Sequence, residues 1–339
     1  MLKIDRIKEH SVAGGVKSMN KTVDDVLVRD FRKSDLNDIL EVLGLSFSEE
    51  LEVSGFDPDQ AKKMVDQMFG IIGRVFLGFS KLFGKEPIKF LVAEVNQRLV
   101  GTTIVNNRGK VGYISTVMVH PNYRRKGIAR KLMKNALDYI QKKKMKRAVL
   151  HVVSTNVPAK NLYTELGFRE FEKTAHLVAN IDHFPQAENV ERVQIRNFQK
   201  NDTDAVYELI KASEDPKNLE IFDFNKKELK TPFVQRMFHF STESKIVALH
   251  GSTVIGYAQA ICTTPNEAGR IRNIQVCPEM RSKGIEEMLI NAAVNEIKKA
   301  GTKKVTATAS LERPELIAAM KRFGFKKHLE MEGMVLEIS

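Results

Sequence analysis

Val117-Met118-Val119-His120-Pro121-Asn122-Tyr123-Arg124-Arg125-Lys126-Gly127-Ile128-Ala129-Arg130-Lys131-Leu132-Met133 is the stretch on which the fold turns. A β-branched run stops at Pro121, which has no N–H to continue a ladder, and a basic turn then delivers the chain into a helix that opens on Gly127, Ile128 and Ala129. The first amides of a helix have no partner within it and point outward, so they favour an anion. Small residues at 127 and 129 let a ligand approach the backbone, and Arg124, Arg125, Lys126 and Arg130 put positive charge beside it. A pyrophosphate fits such a turn.

The stretch occurs twice. Val119-His120-Pro121 through Lys126-Gly127-Ile128 returns as Val276-Cys277-Pro278 through Lys283-Gly284-Ile285 at an offset of 157, which also carries Gly167-Phe168 onto Gly324-Phe325. Nearer the start, Val28-Arg29-Asp30-Phe31 through Asp35 is echoed by Ile195-Arg196-Asn197-Phe198 through Asp202 at an offset of 167. Two copies of one fold account for the 339 residues. The expected division is an extension over 1–21, a first domain over 22–183, a linker over 184–190 and a second domain over 191–339.

Each copy reads as α/β (α+β), a mixed, mostly antiparallel sheet flanked by helices. In the first, a strand over 26–30 precedes a helix with Leu36, Ile39, Leu40 and Leu43 at helical spacing. A longer helix over 58–82 carries Met64, Met68, Ile71, Ile72, Val75, Phe79 and Leu82 as one apolar stripe. Strands over 89–95, 99–106 and 111–119 follow as a meander, then a helix over 127–144, a strand over 147–153 and a helix over 157–166. Two final strands are expected over 168–171 and 175–181.

Composition narrows the class. A hydrophobic share of 42% with 28% charged residues belongs to a globular chain, and two cysteines without a CxxC make neither a disulfide framework nor a metal ribbon. A reducing, cytoplasmic setting is expected, with no metal and no membrane, since the most apolar stretch contains Arg74 and falls short of a span. The net charge of +12 sits mainly in the first half: residues 1–183 hold 31 basic and 21 acidic side chains, and 124–147 hold eleven basic residues and Asp138 alone. No aromatic interleaving accompanies that run, which sets nucleic acid last among its partners.

Downstream lies Asn156-Val157-Pro158-Ala159-Lys160-Asn161-Leu162-Tyr163-Thr164-Glu165-Leu166-Gly167-Phe168. Together with the Arg124-to-Ala129 turn, and in the same order, this resembles the two motifs of the GCN5-related N-acetyltransferase (GNAT) superfamily, making the chain a tandem GNAT protein. The resemblance covers about 22–183 well and 191–339 in weakened form. It implies acetyl-CoA as cosubstrate, its pantetheine on the backbone of Val117, Met118 and Val119, its pyrophosphate on the amides of residues 125–130, and further contacts from Asn156 and Tyr163. It implies direct attack by an amine acceptor, with Tyr163 supplying the proton to the departing sulfur.

Many members of that superfamily carry a glutamate base just before the turn; here Ser115 and Thr116 stand there. Tyr113 and His151, on neighbouring strands, look like the pair of the protein N-terminal acetyltransferases of the NatE/RimI-like type, which points to a peptide α-amine. A polyamine, amino acid or aminoglycoside acceptor, or a non-catalytic acyl-CoA-binding module, are the alternatives. The second copy departs from the pattern: Glu286 stands for Ala129, Arg313 for Asn156, Thr308 for His151 and Met320 for Tyr163. It is expected to be non-catalytic and to stand where a dimer partner would, although the oligomeric state is not written in the sequence.

Overall fold

A computed structural model describes residues 26–46, 58–69, 87–182, 184–229, 241–262 and 267–338. The first copy contains β1 (Leu27–Asp30), α1 (Leu36–Ser46), α2 (Pro58–Phe69), β2 (Ile88–Val95), β3 (Arg98–Arg108), β4 (Val111–Val119), α3 (Ile128–Lys142), β5 (Arg147–Val153), α4 (Val157–Glu165) and β6 (Arg169–Asn180). The second repeats the order with β7 (Val193–Asn197), α5 (Thr203–Ser213), α6 (Pro216–Ile221), β8 (Thr242–His250), β9 (Thr253–Cys262), β10 (Gly269–Val276), α7 (Ile285–Lys299), β11 (Lys304–Ser310), α8 (Pro314–Arg322) and β12 (Lys326–Glu337). The expected helix over 58–82 is described only to Phe69, and the rest of its stripe lies outside the described residues.

The repeat holds at the level of atoms. Arg29 clamps the Asp35 carboxylate with two hydrogen bonds of 2.7 and 2.8 Å, and Arg196 holds Asp202 with the same pair of lengths. Each aspartate also accepts the backbone N–H three residues before it, fixing the bend between the first strand and its helix. In the β4/β5 pair Gly112 faces Ala148, and in β10/β11 Gly269 faces Val305, the same register moved by 157. A Cβ on Gly112 would lie 2.5 Å from Ile140, and one on Gly269 would lie 2.3 Å from Ile297, so both glycines let a helix sit hard against the sheet.

The described strands form one sheet in the order β1-β2-β3-β4-β5-β12-β6-β11-β10-β9-β8-β7. The two final strands expected over 168–171 and 175–181 are instead the single strand β6. It pairs antiparallel with β11 of the second copy, while β12 returns to pair antiparallel with β5 of the first. Each copy therefore gives its last strand to the other, and β12 and β6 pair at the centre. The copies are interlocked across the 184–190 connector.

Helix α3 packs on one face of the first half, where Ile114, Leu132, Met133, Ile140 and Leu150 form a buried cluster, and α7 does the same in the second. On the opposite face Val111, Val149, Phe171 and Val335 pack with Ile221 of α6, so the second copy covers part of the first copy's sheet. Among the described residues, no helix is long and apolar enough to cross a membrane.

Candidate active site

β4 and β5 run parallel only from Val111/Arg147 to Ile114/Leu150 and then part. Thr116, with φ of 57°, interrupts the β4 ladder to β3 at this point, and the second copy repeats the kink at Asn273, with φ of 52°. Val117, Met118 and Val119 thus line a wedge between two diverging strands, with Met118 buried. The turn that follows passes through Arg125 at φ of 63° and Gly127 at φ of 75°, and no side chain caps α3. Arg124, Arg125, Lys126 and Gly127 are exposed there, Ile128 is buried, and Ala129 and Arg130 lie half-buried on the first turn of α3. Arg130 pairs with Glu165, Arg124 donates to the Val119 carbonyl at 3.1 Å, and the Lys126 ammonium lies 5.2 Å from the Tyr123 ring centre.

In the second copy side chains of the chain itself enter the same wedge and turn, and Ile274, Gln275 and Arg313 also line a cavity. Arg313, in the place of Asn156, is buried and donates to the Ile274 carbonyl at 2.8 Å and to the Gln275 side chain at 3.1 Å. Ile274 is the counterpart of Val117. Glu286 is 1% exposed, and its carboxylate accepts the Ser282 N–H at 3.4 Å in the turn, where burial pushes its pKa up. A carboxylate lies where an anionic ligand would sit. The first copy has Ala129 there, and Asn156 turns its carbonyl back to cap α4 through the Ala159 N–H at 3.2 Å, so its wedge carries no such plug.

Tyr113 and His151, read from sequence as neighbours, meet: the phenol oxygen is 3.1 Å from Nδ1. The sequence reading missed the third member, Glu172, whose Oε1 lies 2.7 Å from His151 Nε2. An ionised carboxylate only accepts, so with Glu172 ionised and the ring neutral Nε2 would carry the proton and Nδ1 would accept the Tyr113 hydroxyl. His151 and Glu172 sit on β5 and β6 with β12 between them. They reach each other over Gly333, which is opposite both, and a Cβ there would lie 2.7 Å from Glu172 Cγ. The His151 ring lies parallel to Phe222, with centres 6.5 Å apart, and edge-on to Phe171. Asn218 donates to the other Glu172 oxygen at 3.2 Å, so the second copy supports the cluster with two side chains.

Tyr113, His151, Glu172 and Phe222 line a cavity of about 460 Å³ between the copies, into which Arg108, Glu214, Arg272 and Arg313 also open. Burial raises the Tyr113 pKa and keeps the phenol neutral. Tyr163 does not join the cluster. It packs with Ile114, Leu132 and Phe168 in the core beneath α3, none of the described residues hydrogen-bonds its hydroxyl, and burial pushes its pKa up to about 12. Among the described residues no group of His, Cys, Asp and Glu is placed to hold a metal ion.

Strands that part beside an uncapped basic helix start, present twice, define an acetyltransferase fold, and the comparisons agree. The model of the Acetyltransferase (GNAT) family matches residues 49–168 and again 204–325, and the chain belongs to that family as a tandem GNAT acetyltransferase. An uncharacterized N-acetyltransferase of Archaeoglobus fulgidus is 33% identical over 101 residues, 28% of this chain and 69% of that protein. Another from Methanocaldococcus jannaschii is 28% identical over 152 residues, 43% of this chain and 61% of its own length, so the match spans under two thirds of that relative. Among solved structures, a GCN5-related N-acetyltransferase from Sphaerobacter thermophilus superposes with a TM-score of 0.64 at 17% identity, covering 94% of this chain and 97% of that one. A tandem GNAT protein from the clavulanic acid biosynthesis pathway gives 0.65 at 14% identity, covering 92% and 98%. These last two likenesses are of fold.

Proposed function

We propose that the first copy transfers an acetyl group from acetyl-CoA to a primary amine, for which a peptide N-terminus is the leading acceptor, and that the second copy does not catalyse. The observation that carries this reading is the Tyr113–His151–Glu172 chain of hydrogen bonds at the edge of the β4/β5 wedge. The wedge residues Val117, Met118 and Val119 suit the pantetheine, and the free helix start behind Arg124, Arg125 and Lys126 suits the pyrophosphate. Acetyl-CoA supplies the thioester carbonyl; the protein's part is to bind, orient and move protons.

An amine must lose a proton as it forms the new C–N bond. The Tyr113 oxygen accepts it while the phenol proton passes to His151 Nδ1, and Glu172 stabilises the resulting imidazolium. Tyr163, held neutral by burial, gives its proton to the sulfur as the C–S bond breaks. Against this, the plugged wedge around Arg313 and Glu286 accounts for a silent second copy. The test is thiol release from acetyl-CoA with peptide and small-amine panels. Activity lowered about 10²–10⁴-fold in Tyr113→Phe and His151→Ala is expected; unchanged turnover in both would refute the assignment.

A further inference from the structure

Both carboxylates in the cavity are held by hydrogen bonds. Glu172 is bound by His151 and Asn218, and Glu214 by Gln275 at 2.7 Å and Asn218 at 3.3 Å. Of the three arginines that line the cavity, Arg313 is held by the Ile274 carbonyl and Glu315, while Arg108 and Arg272 are not so matched. Arg108, at the end of β3, lies with its guanidinium 4.8 Å from the Tyr113 ring centre, and Arg272 enters from β10 of the second copy. Both are exposed to the cavity, and neither has a carboxylate within ion-pair distance among the described residues.

The surroundings register the excess charge. Arg108 and Arg272 are the leading charges felt by Tyr113. The nearby His176 is held down to about 4, by burial first and then by His151, Arg272 and His328. Two planar forks without a carboxylate, beside the base, form a receptor for a planar or tetrahedral oxyanion. Ligand pockets that fix orientation do so with a few such groups in a volume of this order.

Resting on the acetyltransferase reading above, we infer that the acceptor amine carries a carboxylate or phosphate a few bonds from its nitrogen, and that Arg108 and Arg272 clamp this oxyanion so that the nitrogen meets Tyr113. The second copy thereby supplies half of the clamp from β10, at the position where the first copy has Ser115. A free amino acid, a phosphorylated small amine and a peptide opening on an acidic residue share this chemistry.

Matched acceptors separate them: glycine against glycinamide, phosphoethanolamine against ethanolamine, and a peptide opening Asp against one opening Lys. In the wild type at least one oxyanion member exceeds its capped partner in kcat/KM by about tenfold or more. In Arg272→Gln and, independently, Arg108→Gln, that ratio falls by about tenfold, through KM rather than kcat, with Arg272→Lys falling less. Capped acceptors that perform as well as charged ones, or variants that lower both members equally, overturn the clamp. Should no amine be acetylated, the acetyltransferase reading is what fails, and the clamp is judged by calorimetry without acetyl-CoA. Glycine or phosphoethanolamine then binds the resting protein and binds Arg272→Gln about tenfold more weakly, whereas absent or equal binding overturns it.

Discussion

His151 and Glu172 are hydrogen-bonded at 2.7 Å across a strand that belongs to neither of their neighbours in sequence. The contact exists because β12 presents Gly333 at the crossing, so a residue without a side chain, borrowed from the second copy, gives two side chains of the first room to meet. Gly333→Ala would place its Cβ 2.7 Å from Glu172 Cγ and 2.8 Å from the Phe171 ring. Displacing Glu172 is expected to lower kcat about ten- to hundredfold, and overpacking to cost about 1–3 kcal/mol. Steady-state kinetics with denaturant unfolding checks both; a variant with unchanged kcat would detach Glu172 from the reaction.

Tyr163 should behave as an acid and never as a titrating base. Its folded pKa of about 12 leaves the phenol protonated throughout the working range. Tyr163→Phe is expected to reduce kcat about 10²-fold without removing either limb of the pH–rate profile and with little change in KM for acetyl-CoA. A lost limb in the variant would contradict this placement.

One acetyl-CoA per chain is the expected stoichiometry, measured by calorimetry, because Arg313 and Glu286 occupy the second wedge and turn. Arg313→Ala leaves the Ile274 carbonyl and Gln275 without their donor and is expected to destabilise the fold by about 1–3 kcal/mol. It should not create a second site while Glu286 remains. A stoichiometry of two in the wild type would be incompatible with the plug.

His176 makes stability depend on acidity. Its pKa falls from 6.5 to about 4 on folding, chiefly through burial, so the unfolded chain binds the proton more readily. Above the unfolded value both states are neutral and the residue contributes nothing. As pH falls through the window between these two values stability is lost, reaching about 3 kcal/mol at its lower end. Thermal unfolding across that window should show a shallower acid decline in His176→Gln than in the wild type, and equal slopes would remove His176 as the cause.

The turn at Arg124–Ala129 and the second motif around Tyr163 were legible because their chemistry is local: a proline stop, a glycine in left-handed conformation and a helix start lie within a few residues. The repeat was legible for the same reason, and the Arg29–Asp35 and Arg196–Asp202 clamps explain why it persists near the start of each copy. The strand exchange was not. Swapping the last strands leaves every hydrophobic alternation unchanged, so β6 and β12 read alike whichever half they complete. Glu172 was missed with it, since its closeness to His151 depends on Gly333, far away in sequence. Asn156 shows a different limit: an asparagine at that spacing suits both the motif and a helix cap, and the contact seen is the cap to the Ala159 N–H.

The exchange also sets a schedule. Arg147, which opens the strand bearing His151, is ion-paired with Glu337 across 190 residues of chain. During synthesis β12, the strand that pairs with β5 and carries Gly333 to the His151–Glu172 crossing, is made only after the rest of the second copy. A chain that ends before β12 lacks the strand that carries Gly333 and pairs with both β5 and β6, so the His151–Glu172 contact waits on the last part of the second copy.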